Sequence, residues 1–460
     1  MYKRCAKTQM RRGSIIILLL FNLFTSSFVF FSNARAEPIL NDSSIKVELV
    51  TKGLKLPTTM AFVGPNDILV LEKDKGTVQR IVNGKMLPHP LLNVNVSNGE
   101  GRGMLGIAIM HYNGHIFVFL SYLQSAAGKP NDDISQGKLP LGNRLYRYEL
   151  VENKLVNPKL LLSLPAQSAP FHYGGVIAIG PDKNVYWVVG DDGLQNHLTQ
   201  GQNIKNGQPP DGTAGILRMT INGSPVGKGI LGSDFPLNLY YGYGIRNSFG
   251  MAFDPLTGHL WETENGPNFG DEINLVKPGF NGGWAKVEGY SSKTVFDPAL
   301  SADKTDSLSQ SRTTNPVLNS LVDFGVKGKY TDPKFEWNSP AVAPTALAFL
   351  NSDRLGILFK HDMFVGDFNN GRIYDFKLNQ NRTQLVPDGS TSKNTKDLRK
   401  DSCNLIISDT CMSDYPEKMI FGKGFNGITD IKMGPDGYLY IVSHLGGAIF
   451  RIVPKDKQKL

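Results

Sequence analysis

Residues 58–82 read "TTMAFVGPNDILVLEKDKGTVQRIV". Two apolar runs flank a Gly-Pro-Asn-Asp turn signal, and a third run after a Gly turn alternates apolar with polar residues. Short apolar runs bounded by Gly, Pro, Asn and Asp predict strands, and two runs joined by so tight a turn predict a hairpin. The pattern returns in "GMLGIAIMHYNGHIFVFLSY" followed by "NRLYRYEL", and in "GVIAIGPDKNVYWVVGDDG" followed by "GILRMTI". It returns again in "GMAFDPLTGHLWETENG" with "DEINLV", in "LGILFKHDMFVGDFNNGRIYDFKL" and in "GITDIKMGPDGYLYIVSHLGGAIFRIV". These make about six units, each a hairpin with a further strand, at intervals of roughly 50 to 100 residues.

One such unit cannot bury both of its faces. Stacked radially, the units bury one another. No Ser/Gly-rich or charged linker separates them. The expected fold is therefore all-β, a six-bladed β-propeller with four-stranded antiparallel blades, formed by 37–460 as a single domain. Polar, Gly/Pro-rich inserts at 123–142, 194–212 and 290–336 read as loops on one face, where function tends to gather.

The hairpins also place chemistry. Equal counts from a turn put two residues side by side in an antiparallel pair. His172 lies about ten residues before the centre of the Gly180–Asn184 turn and Asp191 about nine after it. They should meet at the open end of one hairpin, as a base and an orienting carboxylate. Arg246 and Asn265 hold the same level in the next hairpin, and Arg102 in an earlier one. In a propeller these ends surround one mouth, so the five residues form a candidate site. Ordinary polar capping of strand ends is the alternative for each. Trp261 and Trp284 read as core, with substrate stacking as their alternative.

Composition refines this picture. The 49 Gly, 27 Pro and 10% aromatic content suit short strands and tight turns. The first 36 residues run from a basic stretch through "SIIILLLFNLFTSSFVFF" to Ala34-x-Ala36, the pattern of a secretory signal peptide or, if uncleaved, a membrane anchor. This predicts a secreted or extracytoplasmic protein that touches a membrane only through that leader. The leader holds six Lys+Arg and no acid, leaving 43 basic against 41 acidic residues beyond it. The formal charge of +8 thus belongs largely to the leader, and a nucleic-acid role loses its support. Cys403 and Cys411 remain after it, an even pair that predicts one disulfide in an exported chain.

The stretch "YGYGIRNSFGMAFDPLTGHLWETENGPNFGDEINLVKPGFNGGW" carries the most specific motifs. With "GRGMLGIAI", "FHYGGVIAIGPD", "WNSPAVAPTALAF" and "GPDGYLYIVSHLGGAIFRI", it closely resembles the soluble quinoprotein glucose/sorbosone dehydrogenases, including the aldose sugar dehydrogenases. The likeness covers roughly 48–455. It implies a six-bladed propeller that holds pyrroloquinoline quinone and Ca²⁺ in its mouth. It implies an oxidoreductase acting on a CH–OH group of an aldose or related alcohol, with hydride passed to the quinone and electrons then to an external acceptor.

The resemblance also assigns roles. His172 matches the catalytic base and Arg246 the guanidinium beside the reactive quinone carbonyl. Asn247 matches a cofactor contact. Gly266 and Pro267 match the backbone carbonyls that bind Ca²⁺, and Asp191 and Asp271 match acidic residues near the base and the sugar, with Asn265 alongside. The chain departs from the family where later blades supply cations to the quinone carboxylates. Arg102, Arg372 and Asn370 are the expected replacements. That thinner cation set leaves a second reading open, a non-catalytic propeller that binds a glycan or protein partner.

Overall fold

The computed structural model describes residues 37–193, 198–291, 317–386 and 419–455. These are nearly all strand and loop, arranged as six sheets. Each sheet opens with a hairpin whose first strand is innermost: Pro57–Gly64, Met104–Tyr112, Ile177–Ile179, Ser248–Phe253, Pro344–Phe349 and Ile428–Met433. Each innermost strand packs on the next, and the last packs on the first. The result is an all-β propeller.

The strand Val185–Val189 shows why sequence and fold agree. Its five residues, VYWVV, are all buried. Side chains alternate faces along a strand, and both faces of this one are covered. Trp187 and Val185 pack with Phe119 and Leu145 of the preceding sheet, while Tyr186 and Val188 pack with Met251 and Leu260 of the following one. A continuous apolar run is what a strand between two neighbouring sheets requires.

The ring is closed by the chain's two ends. Ile45–Lys52 pairs antiparallel with Ala448–Pro454, so an N-terminal strand completes the last sheet. With Ile45–Lys52 as the outer strand, Ala448–Pro454 is paired on both sides and is not left as an edge. Ile39–Leu40 adds to the neighbouring sheet through Ile420–Lys423.

Three expectations change. In the fifth unit the apolar run "LGILF" is not the inner strand. Pro344–Phe349 takes that place and pairs with Met363–Asp367, while Ile357–Phe359 forms a one-turn 3₁₀ helix in the connection. Ile357 and Leu358 are over 70% exposed there, so hydrophobicity alone misassigned the segment. The blades are also not uniformly four-stranded and antiparallel. Three sheets have four strands among the described residues, the others have more, and Tyr240–Tyr243, Phe280–Asn281 and Lys329–Tyr330 run parallel. Finally, the insert at 290–336 is not all loop. It supplies Lys329–Tyr330 and the buried strand Phe335–Trp337. The leader and the Cys403–Cys411 pair lie outside the described residues.

Candidate active site

The hairpin of Ile177–Ile179 with Val185–Val189 leads directly to His172. Its ladder pairs Ile177 with Trp187, and the Asp192 N–H donates to the His172 carbonyl at 3.1 Å. The backbone register therefore sets His172 against Asp192, one residue beyond the count from sequence. The side chain still finds Asp191, with Nδ1 and Oδ1 2.8 Å apart. The segment before the strand is irregular, with His172 at φ +72° and Gly174 at +60°. A left-handed non-glycine residue is uncommon and costs on the order of 1 kcal/mol, so the packing here must hold it. Gly190 makes the close approach possible. A Cβ on it would lie 2.2 Å from the His172 carbonyl oxygen and 2.8 Å from that of Arg246.

Arg246 enters the same place from the next sheet. The Asp191 N–H donates to its carbonyl at 2.9 Å. Its Nη1 donates to the carbonyls of Asn265 at 2.7 Å and Gly266 at 3.0 Å. Its guanidinium carbon lies 5.4 Å from the Trp284 ring centre. The indole N–H of Trp284 in turn donates to Asp191 Oδ2 at 2.6 Å. Imidazole, carboxylate, indole and guanidinium thus form one chain of contacts.

The electrostatics follow from the partners. Burial pushes the Asp191 carboxyl upward, but the charge and hydrogen bond of His172, the charge of Arg246 and the Gly193 N–H together hold it below its ordinary value. A charged Asp191 accepting from Nδ1 fixes the His172 tautomer whose lone pair is on Nε2, the form of a general base. Arg246 Nε is buried with no hydrogen-bond partner among the described residues, and so is Asn247 Oδ1. Orphaned buried polar atoms are rare, and here they mark places for a polar ligand.

The family model for "Glucose / Sorbosone dehydrogenase" matches residues 54–451. The chain belongs to the glucose/sorbosone dehydrogenase family. It is 27% identical over 321 residues to quinoprotein glucose dehydrogenase B of Acinetobacter calcoaceticus, covering 65% of this chain and 63% of that protein. It is 24% identical over 422 residues to aldose sugar dehydrogenase YliI of Escherichia coli, covering 90% and 94%. The solved PQQ-bound aldose sugar dehydrogenase of Streptomyces coelicolor has the same fold, with a TM-score of 0.58 at 21% identity over 91% of this chain and 100% of that one. Family membership makes the protein an oxidoreductase.

Several contacts expected from the family pattern are engaged elsewhere. Arg102 is 3% exposed; it pairs with Asp132 at 2.8 Å and donates to the carbonyls of Asn98 and Ala169. It braces the 123–142 insert through these contacts. Asn370 caps Asp367 through its N–H and amide, and Arg372 lies by the same carboxylate and the Tyr374 hydroxyl. Asp271 is fully buried and accepts from the N–H groups of Gly266, Val342 and Ala343, which ties the connections around it together. Asn265 bridges to Pro344 and Asn247. The Gly266 carbonyl, expected on Ca²⁺, accepts from Arg246. A Cβ on Gly283, next to Trp284, would lie 2.8 Å from the Tyr330 ring.

The residues present fit the reactive edge of the family's quinone. They offer an unpaired guanidinium N–H and an unpaired amide oxygen beside an oriented imidazole. Of the cations expected for its carboxylates, Arg102 is already paired with Asp132. The residue that sequence reasoning missed is Trp284, read as core. Its signal was its place three residues after Asn281 in "FNGGW", but nothing in the sequence reveals its reach to Asp191. A cavity of about 490 Å³ lies at the opposite, turn-bearing end of the inner strands, lined by apolar residues such as Ile109, Phe253 and Phe349. Its largely apolar lining, which includes none of His172, Asp191 and Arg246, sets it apart from the chemistry.

Proposed function

We propose that this protein is an exported quinoprotein dehydrogenase that oxidises an aldose sugar or related alcohol, with each of the six sheets acting as one blade. The observation that carries the reading is the His172–Asp191 pair set beside Arg246 Nε. Alcohol oxidation removes a proton from oxygen and a hydride from carbon. His172 Nε2 takes the hydroxyl proton, a general-base role suited to an imidazole near neutral pH. Asp191 holds the ring and favours the imidazolium that forms. Pyrroloquinoline quinone, when bound, supplies the hydride acceptor. Arg246 stabilises negative charge at the acceptor edge, as a preorganised donor does in an oxyanion hole. Asn247 completes the polar contacts there. The Gly266 and Pro267 carbonyls would hold Ca²⁺ only if the Gly266 carbonyl gave up its contact with Arg246 Nη1. An external acceptor takes the electrons.

The leader supports export, which an N-terminal sequence of the mature protein tests. For the activity, pyrroloquinoline quinone and Ca²⁺ are added to the purified protein. The expected result is a bound-quinone absorbance that bleaches with an aldose. Absence of binding at micromolar quinone would overturn the reading and favour a non-catalytic propeller that binds a glycan or protein. The engaged states of Arg102 and Asn370 are what favours that second reading.

A further inference from the structure

The four tryptophans are not equivalent. Trp187, Trp261 and Trp337 are core residues whose buried Nε1 atoms have no hydrogen-bond partner among the described residues. Their rings are used and their N–H groups are not. Trp284 differs, because its N–H goes to the one carboxylate that orients His172. Its backbone is pinned from two elements. Its N–H donates to the Gly244 carbonyl at 3.1 Å, its carbonyl accepts from Asn203 Nδ2 at 2.9 Å, and the next N–H donates to Gln202 at 2.7 Å. The ring is therefore fixed before any ligand arrives, with its edge on Asp191 and its face on Arg246.

We propose that Trp284 is a positioning residue that couples the proton-accepting pair to the guanidinium. The proposal rests on the reading of His172 as base. Asp191 receives three donors: His172 Nδ1 and the Gly193 N–H on Oδ1, and Trp284 Nε1 on Oδ2. Each donor draws on the same negative charge. The indole N–H therefore limits how strongly Asp191 can hold a protonated His172 and keeps the ring available as a base. The same indole presents its face to Arg246, so the two halves of the site share one rigid support. The other charged group that faces the pair is Arg246, and the neighbouring acids are Asp192 and Asp211.

The test is NMR titration of the His172 ring in the purified protein. Trp284→Phe removes the N–H and keeps the aromatic face. The His172 midpoint should rise by roughly half a unit to one unit, and the acid limb of kcat/KM should rise with it. In an Asp191→Asn background the same substitution should leave the midpoint unchanged, since the route is through the carboxylate. Trp284→Leu, which also removes the face toward Arg246, should lose further kcat relative to Trp284→Phe. An unchanged or lowered midpoint, or an equal shift with and without Asp191, would overturn the proposal. Should Trp284→Phe not fold, the unsubstituted protein still decides. The Trp284 indole proton resonance should titrate with the His172 midpoint and stop doing so in Asp191→Asn, and an indole signal blind to that midpoint overturns the coupling. Turnover by His172→Ala would instead overturn the base reading while leaving the NMR result standing.

Discussion

Two acidic groupings flank Arg246, and burial treats them alike while their partners do not. Asp191 is 5% exposed, yet its carboxyl is held below the ordinary value of 3.8, because His172, Arg246 and the Gly193 N–H outweigh desolvation. Glu262, Glu264, Glu272 and Glu288 are no more exposed, and all are pushed up. Desolvation is the first cause in each. For Glu264, Glu272 and Glu288 the other acids add to it, and one oxygen each of Glu262, Glu264 and Glu288 has no partner among the described residues. Charge at this mouth is therefore decided by which donors reach a carboxylate, and depth alone does not predict it.

The comparison predicts that activity resides on the Asp191 side. His172→Ala should lower kcat/KM by a factor on the order of 10²–10⁴, with quinone binding nearly intact. Quinone titration followed by steady-state kinetics checks both, and loss of binding would make the histidine structural. Arg246→Leu comes next, with kcat/KM reduced on the order of 10²–10³ through the missing donor at the acceptor edge. Arg246→Lys should rescue little, since a lysine cannot hold the Asn265 and Gly266 carbonyls and face a ligand at once. Full rescue by lysine would show that charge alone was needed.

Much of this was legible in the chain. The hairpin turns fixed the repeat, and counting from one of them brought His172 to Asp191 although the backbone register is offset by one residue. What misled was residue type without partner. Arg102, Asn370 and Asp271 have fitting chemistry, but Arg102 and Asp271 are engaged by neighbours distant in sequence and Asn370 by Asp367 three residues before it. Asp132, which holds Arg102, comes from an insert whose path no local pattern predicts. Trp284 failed in the opposite direction, because a tryptophan in the Gly-rich run "GFNGGW" gives no sign of where its N–H points.

The Arg102 correction sharpens the comparison at smaller scale. If its guanidinium only braces the insert, Arg102→Met should lower stability by about 1–3 kcal/mol, through three lost donors, two of them to carbonyls that water cannot easily reach. Quinone affinity should not change. Chemical denaturation and quinone titration of the same variant separate the outcomes. A weakened affinity at unchanged stability would return Arg102 to the cofactor.

The smallest effect concerns the glutamates themselves. Burial pushes Glu262 from 4.5 to about 7, opposed by the Asn274 and Ser248 side chains. The folded protein then binds a proton that the unfolded chain has already released between those values. Stability should fall as pH rises across that window, the reverse of the sign for Asp191, whose contribution is present above 3.8 and lost as pH falls. Glu262→Gln keeps an acceptor for Asn274 and cannot ionise. At pH 8 it should be more stable than the unsubstituted protein, with the two converging near pH 4. Melting temperatures across pH 4–8 read this directly. Parallel curves would mean that Glu262 ionises in the folded protein at its ordinary value, and the contrast between the two acidic groupings would then lie in geometry and not in charge.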